Sequence, residues 1–290
     1  GTTTSVNGRL NLFDIKHFEL AIIDEASQIL EPDIIGILAA RSGNMNAIDK
    51  FVLIGDYKQL PAIALQNTED AKVTEPILNN IGLRSCKDSL FERLYRQSDE
   101  NVKSVLRKQG RMHPAIAEFP NTTFYHKEQL ECVPLPHQEE ELPYSNVSQT
   151  ADKIERLLTS RRMIFITTSA ASDNSQSYSD KANVNEARIV AAILKRVYSL
   201  TKDSFNPDKT VGVIVPYRNQ IAMIRKEIAS LNIPQLSDIS IDTVERYQGS
   251  QRDVIIYSFT VRNFSQMNFL TSNTFMEDEA IIDRKLNVAM

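Results

Sequence analysis

Residues 21–28 read Ala21-Ile22-Ile23-Asp24-Glu25-Ala26-Ser27-Gln28, an apolar run that ends abruptly in two adjacent carboxylates. Similar short apolar runs, each closed by polar residues, are Phe51 to Ile54, Met163 to Ile166, Val211 to Val215 and Val254 to Tyr257. Continuous apolar runs of this length predict strands that are buried on both faces, as strands of parallel sheets are.

Helical patterns separate these predicted strands. One apolar face recurs at helical spacing over about 184–199, and a second one follows Arg218. The first face consists of Ala187, Val190, Ala191, Leu194 and Tyr198, and the second of Ile221, Ile224, Ile228 and Leu231. Alternating strands and helices predict an α/β fold with mainly parallel sheets, in which ligands bind beyond the carboxyl ends of the strands.

Composition is that of an ordinary soluble protein: 290 residues, 42% hydrophobic, 24% charged, with a formal net charge of -4. This length suits two domains of about 100–200 residues. No run is apolar enough to cross a bilayer and no secretory signal is visible, so we expect a cytoplasmic protein without membrane contact. Cys86 and Cys132 lack the paired spacing of a zinc site. The net charge leaves nucleic acid open as a partner, because local charge in a groove matters more than the sum.

Two blocks carry the chemistry of phosphoryl transfer. Asp24 at a strand tip can hold Mg²⁺, while the adjacent Glu25 orients or deprotonates an attacking water. The second block, Gly55-Asp56-Tyr57-Lys58-Gln59, again ends a predicted strand, and the Gln59 amide can contact both water and a terminal phosphate. A helix-capping acidic pair and an ordinary Gly-Asp turn are the alternatives.

Six blocks follow one another along the chain: DEASQ at 24–28, GDYKQLP at 55–61, QGRMHP at 109–114, VIVPYRNQ at 213–220, TVERYQGSQRDVII at 243–256 and RKLNVAM at 284–290. Their order and spelling resemble the superfamily 1 helicases of the group that includes the nonsense-mediated-decay helicase. The resemblance implies two RecA-like P-loop NTPase domains with mainly parallel sheets, over 1–106 and 107–290, the first one truncated. Residues 134–152, which are rich in Pro, Gln and Glu, are predicted to form a loop or linker.

The resemblance also implies the ligands ATP and Mg²⁺ and a single-stranded or partly duplex nucleic-acid partner. It assigns Asp24 to magnesium, Glu25 to the hydrolytic water, Gln59 to the γ-phosphate, and Arg111 to an arginine finger that reaches the same triphosphate from the second domain. Further positions near the nucleotide would be Gln109, Gln248, Gly249, Gln251 and Arg284. Positions that match nucleic-acid contacts are Thr3, Thr4, Ser5, Pro216, Tyr217, Arg218, Thr243 and Val244, although small hydroxyls in ordinary turns would look the same.

The chain departs from the family pattern at several points. None of the nine glycines is followed by lysine, so the Walker A loop is absent. We therefore expect a fragment, cut at both ends and inactive alone, of an ATP-dependent helicase or translocase acting on DNA or RNA. Gly110 replaces a tyrosine expected on adenine, and Gln251 a glutamate expected near the ribose. These departures keep a second hypothesis open, a non-catalytic nucleic-acid-binding or scaffold protein built on a degenerate helicase fold.

Overall fold

A computed structural model describes residues 1–142, 152–167, 181–261 and 264–290. The chain divides into two compact units, Gly1–Val105 and Leu106–Met290. Three of the sheets are parallel and two are short antiparallel hairpins, so the predicted α/β fold with mainly parallel sheets is confirmed. Within the described ranges, no helix combines the length and the apolar character that crossing a bilayer requires.

The first unit is built around a pair of parallel strands. Its strands are β1 (Phe18–Ile23), β2 (Arg41–Ser42), β3 (Met45–Asn46) and β4 (Ile48–Leu53). Its helices are α1 (Thr3–Asn7), α2 (Leu12–Ile15), α3 (Glu31–Leu38), α4 (Pro76–Asn80) and α5 (Leu90–Gln97), with 3₁₀ turns at Ala26–Gln28 and Glu100–Val102. Strands β1 and β4 run parallel, with Ile23 opposite Leu53. A small apolar cluster lies at the amino ends of these strands and includes Phe13, Ile37 and Ile48.

Burial on both faces, which the apolar runs predicted, is wrong for this pair of strands. Ile22 is 65% exposed and Phe51 45% exposed, although both belong to apolar runs. The reason is that β1 and β4 form a sheet of only two strands, which the described helices do not cover on both faces.

The second unit holds the larger sheet. Its strands are β5 (Lys108–Gln109), β6 (Glu131–Cys132), β7 (Val211–Val215), β8 (Ser240–Thr243), β9 (Val254–Tyr257), β10 (Thr274–Glu277) and β11 (Ala280–Asp283). Its helices are α6 (Pro114–Thr123), α7 (Pro136–Glu139), α8 (Lys153–Ser160), α9 (Val184–Thr201), α10 (Arg218–Ala229), α11 (Val244–Tyr247), α12 (Phe264–Leu270) and α13 (Arg284–Ala289), with a 3₁₀ turn at Pro234–Ser237.

Strand β7 lies at the centre of a parallel sheet in the order β8-β7-β9, and all five of its residues are buried. The predicted helical faces pack against this sheet: Val190 and Leu194 of α9 and Ile224 and Ile228 of α10 join the β7 valines in one core. The predictions of strands β7 and β9 and of both helices are confirmed, but burial on both faces holds only for β7, because Ile255 of β9 is exposed.

Two sequence predictions in this unit need correction. The run Met163 to Ile166, which lies within the described residues, forms no strand, and Phe165 is 77% exposed, with an edge contact to Phe259. The predicted loop at 134–152 contains helix α7, whose Gln138 is buried. Residues 143–151 of that stretch lie outside the described residues. An apolar or polar composition alone does not say whether a neighbouring strand or loop supplies hydrogen-bond partners.

Candidate active site

The first two motif loops leave the same edge of the β1–β4 pair. Because the strands are parallel, Asp24 and the loop that carries Gln59 both follow carboxyl ends. Ile54 N donates to Ile23 O at 2.8 Å, and Ala26 N donates to Ile54 O at 2.7 Å. These backbone bonds extend the ladder past the strand ends and hold the two loops side by side.

The acidic pair adopts an unusual backbone conformation. Glu25 has a φ of 52°, in the left-handed region that residues other than glycine rarely adopt, and it begins the 3₁₀ turn Ala26–Gln28. Its N–H donates to Asp24 Oδ1 at 2.9 Å, and its Oε2 accepts from Gln28 Nε2 at 2.7 Å. Both carboxylates are exposed. Strain of this kind costs on the order of 1–3 kcal/mol and is concentrated at functional sites.

Asp56 organises the second loop. Its carboxylate accepts from Lys58 N and from Gln59 Nε2, both at 2.9 Å, while its own N–H donates to Ser27 Oγ at 3.2 Å. The amide of Gln59 is thereby oriented by the loop that follows Asp24. Sequence reasoning gave Asp56, Ser27 and Gln28 no role, although the three-residue spacing of Asp56 to Gln59 and of Glu25 to Gln28 is typical of turn hydrogen bonds.

The donor set fits a magnesium ion that arrives with a polyphosphate. Mg²⁺ is usually held by one or two carboxylates together with phosphate oxygens and waters. Asp24 uses one oxygen to accept from Glu25 N, and its exposed carboxylate projects from a strand end. Among the described residues, no three or more acidic, His or Cys side chains form a group that could bind a metal ion by itself.

In the second unit, Gln109 shapes the loop that carries Arg111. Its Oε1 accepts from Arg111 N at 2.9 Å and Met112 N at 2.8 Å, and its Nε2 donates to Met112 O and Cys132 Sγ, both at 2.8 Å. Both amide atoms of Gln109 are used within the chain, so the structure offers no free amide there for the nucleotide contact that the resemblance implied. The Arg111 side chain is exposed and forms no hydrogen bond or ion pair with the described residues.

His113 has a structural role at the start of helix α6. Its Nδ1 accepts from Ala115 N at 3.1 Å and caps helix α6. Burial, and to a lesser extent the charge of Arg162, lowers the pKa of His113.

The other predicted nucleotide positions cluster around α11 and α13. Gln248 ends α11, and Gly249 follows with a φ of +78°. Gln251 is exposed. Arg284 begins α13, and its guanidinium lies 4.5 Å from the ring centroid of Phe275. An ion pair of 3.4 Å between Lys285 and Glu245 links the two helices.

A surface groove of about 470 Å³ lies beyond the carboxyl ends of β7 and β8. Four of the predicted nucleic-acid contacts line it, and Lys181, Arg246 and Phe269, which the sequence did not single out, line it as well. The four predicted residues are Pro216, Tyr217, Arg218 and Thr243. The groove therefore combines three cationic side chains and a strand-end hydroxyl with one carboxylate, that of Glu245.

An aromatic pair forms part of this groove. The rings of Tyr217 and Phe269 are stacked, with centroids 5.0 Å apart and an interplanar angle of 24°. Lys285 Nζ lies 4.3 Å from the Phe269 centroid. Burial raises the pKa of Tyr217, so its hydroxyl stays protonated at neutral pH. Phe269 was missed because a lone aromatic residue in a short helix gives no sequence signal.

The remaining predicted contacts do not line this groove. Val244 is buried in the start of α11, so its side chain is unavailable to a strand. Thr3, Thr4 and Ser5 lie in the first turn of helix α1 instead of at a strand end, and the Ser5 N–H is capped by Thr2 Oγ1 at 3.2 Å.

A buried polar network supports the groove from behind. Gln220 accepts from Asn183 N at 2.7 Å and donates to Asn183 O at 3.1 Å and Ser258 Oγ at 3.2 Å. Glu186 in turn accepts from Ser258 Oγ at 2.7 Å and from Thr260 N at 2.8 Å. These bonds tie the starts of α9 and α10 to the end of β9, so the backbone around Arg218 is held by three elements.

Comparison with known proteins gives consistent matches. Family descriptions named AAA domain match residues 1–67 and 86–290. The chain is 31% identical over 282 residues to a DNA polymerase alpha-associated DNA helicase A of Saccharomyces cerevisiae, covering 94% of this chain and 36% of the relative. It is 31% identical over 246 residues to a DNA replication ATP-dependent helicase/nuclease of Arabidopsis thaliana, covering 84% of this chain and 16% of the relative.

An uncharacterized ATP-dependent helicase of Methanocaldococcus jannaschii is 29% identical over 283 residues, covering 94% of this chain and 34% of the relative. The chain thus spans little more than a third, or less, of the length of these curated relatives.

Proposed function

Because the chain belongs to the AAA-domain family and is a superfamily 1 helicase of the group that its motifs resemble, we propose that the protein containing it hydrolyses ATP to move along a nucleic-acid strand and separate duplexes. The observation that carries the proposal is the arrangement at the β1–β4 edge, where an exposed acidic pair follows one strand and the loop of an oriented glutamine follows its neighbour. We assign 1–106 and 107–290 to two RecA-like domains.

The acidic pair supplies the chemistry on the phosphate side. Asp24 would hold Mg²⁺, which neutralises charge on the phosphate oxygens. Glu25 accepts a proton from, or orients, the attacking water, and Gln28 holds one of its carboxylate oxygens in place at 2.7 Å. Gln59, held by Asp56, contacts the terminal phosphate through its amide.

Arg111 completes the set as the residue that stabilises developing charge on the transferred phosphoryl group. Its planar, always-charged side chain suits this task, and such fingers contribute a factor of about a thousand or more in rate. The support is that its side chain is exposed on a loop whose backbone Gln109 fixes at three points, Arg111 N, Met112 N and Met112 O. Gln248, Gly249, Gln251 and Arg284 remain proposals for contacts to the nucleotide.

The groove beyond β7 and β8 is our proposed contact for a single strand. Lys181, Arg218 and Arg246 can neutralise backbone phosphates, and the Tyr217–Phe269 pair offers an aromatic surface for an unpaired base. An unpaired base can reach such a surface, whereas a base inside a duplex cannot. Since the relatives are named DNA helicases, we propose DNA as the strand, and hence a place in the cell where DNA is present.

Strand displacement by the full-length protein tests this function. The substrates are matched DNA and RNA duplexes with single-stranded tails, each with and without ATP and Mg²⁺. We expect ATP-dependent displacement of DNA and ATP hydrolysis that single-stranded DNA stimulates. Displacement of RNA alone would show that the substrate is RNA and would still support an ATP-driven helicase. Tight nucleic-acid binding without any stimulated hydrolysis would favour the scaffold hypothesis and reject ours.

A further inference from the structure

A short segment after β6 lies directly on the Arg111 loop. We call residues 135–138 the strap. His137 Nε2 lies 2.9 Å from Gly110 O, to which it donates. Gln138 Nε2 donates to Gln109 O at 3.0 Å and to Met112 O at 2.8 Å. Side chains of the strap thus bind the backbone of the loop both before and after Arg111.

Close packing accompanies these bonds. A side-chain carbon added at Gly110 would lie 3.2 Å from Leu135 Cδ1, which is tighter than ordinary contact. The absence of a side chain at Gly110 therefore lets the strap approach the loop. Just before the strap, Val133 N donates to Gln109 O at 2.9 Å, and within the strap Gln138 N donates to Leu135 O at 2.8 Å.

Burial of the Gln138 side-chain amide lowers the stability of the folded state. Its side chain is 2% exposed, and its Oε1 has no hydrogen-bond partner among the described residues. Burying a polar atom without a partner costs about 1–3 kcal/mol, and an apolar side chain of the same size would avoid that cost. The same amide donates two hydrogen bonds to backbone carbonyls of the Arg111 loop, which an apolar side chain could not do.

We propose that Gln138 and His137 are positioning residues, which fix the loop backbone so that Arg111 reaches the transferred phosphoryl group in one geometry. This inference rests on the proposed role of Arg111. A long, exposed side chain keeps many rotamers, and fixing the backbone from which it projects is how the fold can limit them. Displacement of a catalytic group by about 1 Å can cost a hundredfold in rate.

The test is equilibrium binding of fluorescent ADP to the full-length protein, with Mg²⁺ and with or without aluminium fluoride, a mimic of the transferred phosphoryl group. Gln138→Met keeps the volume and removes both donated bonds. We expect the dissociation constant with aluminium fluoride to rise about tenfold or more, because the mimic needs a placed Arg111. The dissociation constant for ADP alone should stay within about twofold, since ADP lacks the group that Arg111 contacts.

Coupling to Arg111 separates positioning from general destabilisation. In an Arg111→Ala background, Gln138→Met should have no further effect, because a residue that acts through Arg111 has nothing left to position. Ile239→Val, a buried core change elsewhere in the unit, should leave both dissociation constants unchanged. If Gln138→Met does not fold, His137→Ala removes only the bond to Gly110 O and should show the same selective weakening, to a smaller extent.

The inference would be overturned if Gln138→Met raised both dissociation constants by the same factor. It would also be overturned if Gln138→Met had its full effect in the Arg111→Ala background. Normal binding of the mimic by Gln138→Met where Arg111→Ala binds it poorly would overturn it as well, and the proposed function would survive that result. Normal binding of the mimic by Arg111→Ala would instead remove the proposed role of Arg111, and this inference with it.

Discussion

Gly55 lies where the two motif loops of the first unit pack closely against each other. A side-chain carbon there would lie 2.9 Å from the backbone Ser27 N, a distance that real side chains essentially never show, and 3.1 Å from Ser27 Oγ, which is tighter than ordinary contact. Ser27 in turn accepts from Asp56 N, which orients Gln59. One missing side chain therefore permits the contact between the loop after Asp24 and the loop that carries Gln59.

We expect Gly55→Ala to lower the free energy of unfolding by about 1–3 kcal/mol, because Ser27 must move to make room. The matched control is Gly36→Ala in helix α3, where the nearest atom would lie 3.9 Å away. That change should stabilise the unit by about 0.5–1 kcal/mol, since alanine suits a helix interior better than glycine. Urea unfolding of both variants measures the difference, and equal midpoints would contradict this account.

His113 makes stability depend on pH. Its neutral ring accepts from Ala115 N, and a protonated ring cannot accept. Because burial and Arg162 lower its folded-state pKa below the ordinary value of 6.5, the unfolded chain takes up the proton first as pH falls. The stabilisation is therefore present above about pH 6.5 and is lost as the pH falls through the lowered pKa.

His113→Asn keeps a capping side chain but removes the titration. The difference in urea midpoint between wild type and variant should be constant above about pH 7. Below about pH 6.5 the midpoint of the wild type should fall relative to that of the variant. A constant difference down to pH 5 would show that the cap does not titrate as described.

At the scale of elements, the groove beyond β7 and β8 makes a quantitative prediction. Arg218 is exposed in this groove and forms no ion pair with the described residues. If it neutralises one phosphate, Arg218→Ala should weaken single-strand binding and reduce the slope of log K against log salt by about 0.7. Arg188→Ala, an exposed change on α9, is the control and should leave the slope unchanged. An unaltered slope in Arg218→Ala would remove that phosphate contact.

The elements that sequence reasoning predicted well are those whose environment repeats along the chain. Strand β7 is buried at every position, and α9 buries one face at regular spacing, so periodicity alone located them. The run at 163–166 is also apolar, but it pairs with no strand among the described residues, and its Phe165 is exposed. Composition cannot distinguish these cases, because pairing depends on what lies beside the segment.

The strap shows the converse limit. Residues 134–142 have the composition of a loop, yet Gln138 is buried and hydrogen-bonds two backbone carbonyls that lie more than twenty residues earlier. Contacts of this kind leave no spacing pattern in the sequence, because a backbone carbonyl has the same chemistry in every residue. Helix α12 escaped prediction for a similar reason, and with it Phe269, which faces the groove.

At the scale of the whole molecule, the proposed catalytic residues are divided between the two compact units. Asp24, Glu25 and Gln59 belong to the first, and Arg111 belongs to the second together with the groove. The assignment of these units to two RecA-like domains, which the family resemblance implied, stays a prediction. We propose that both sets of residues act on one ATP molecule. Kinetic measurements can test this.

Single-turnover ATP hydrolysis by the full-length protein tests this claim most directly, with Glu25→Gln and Arg111→Ala measured beside wild type and beside Asp33→Asn, an exposed carboxylate on α3, as control. We predict that each of the first two changes slows hydrolysis by about a hundredfold or more while ATP affinity stays within a few fold, and that the combined variant is little slower than the worse of the two. Hydrolysis within a few fold of wild type in either single variant would contradict the account.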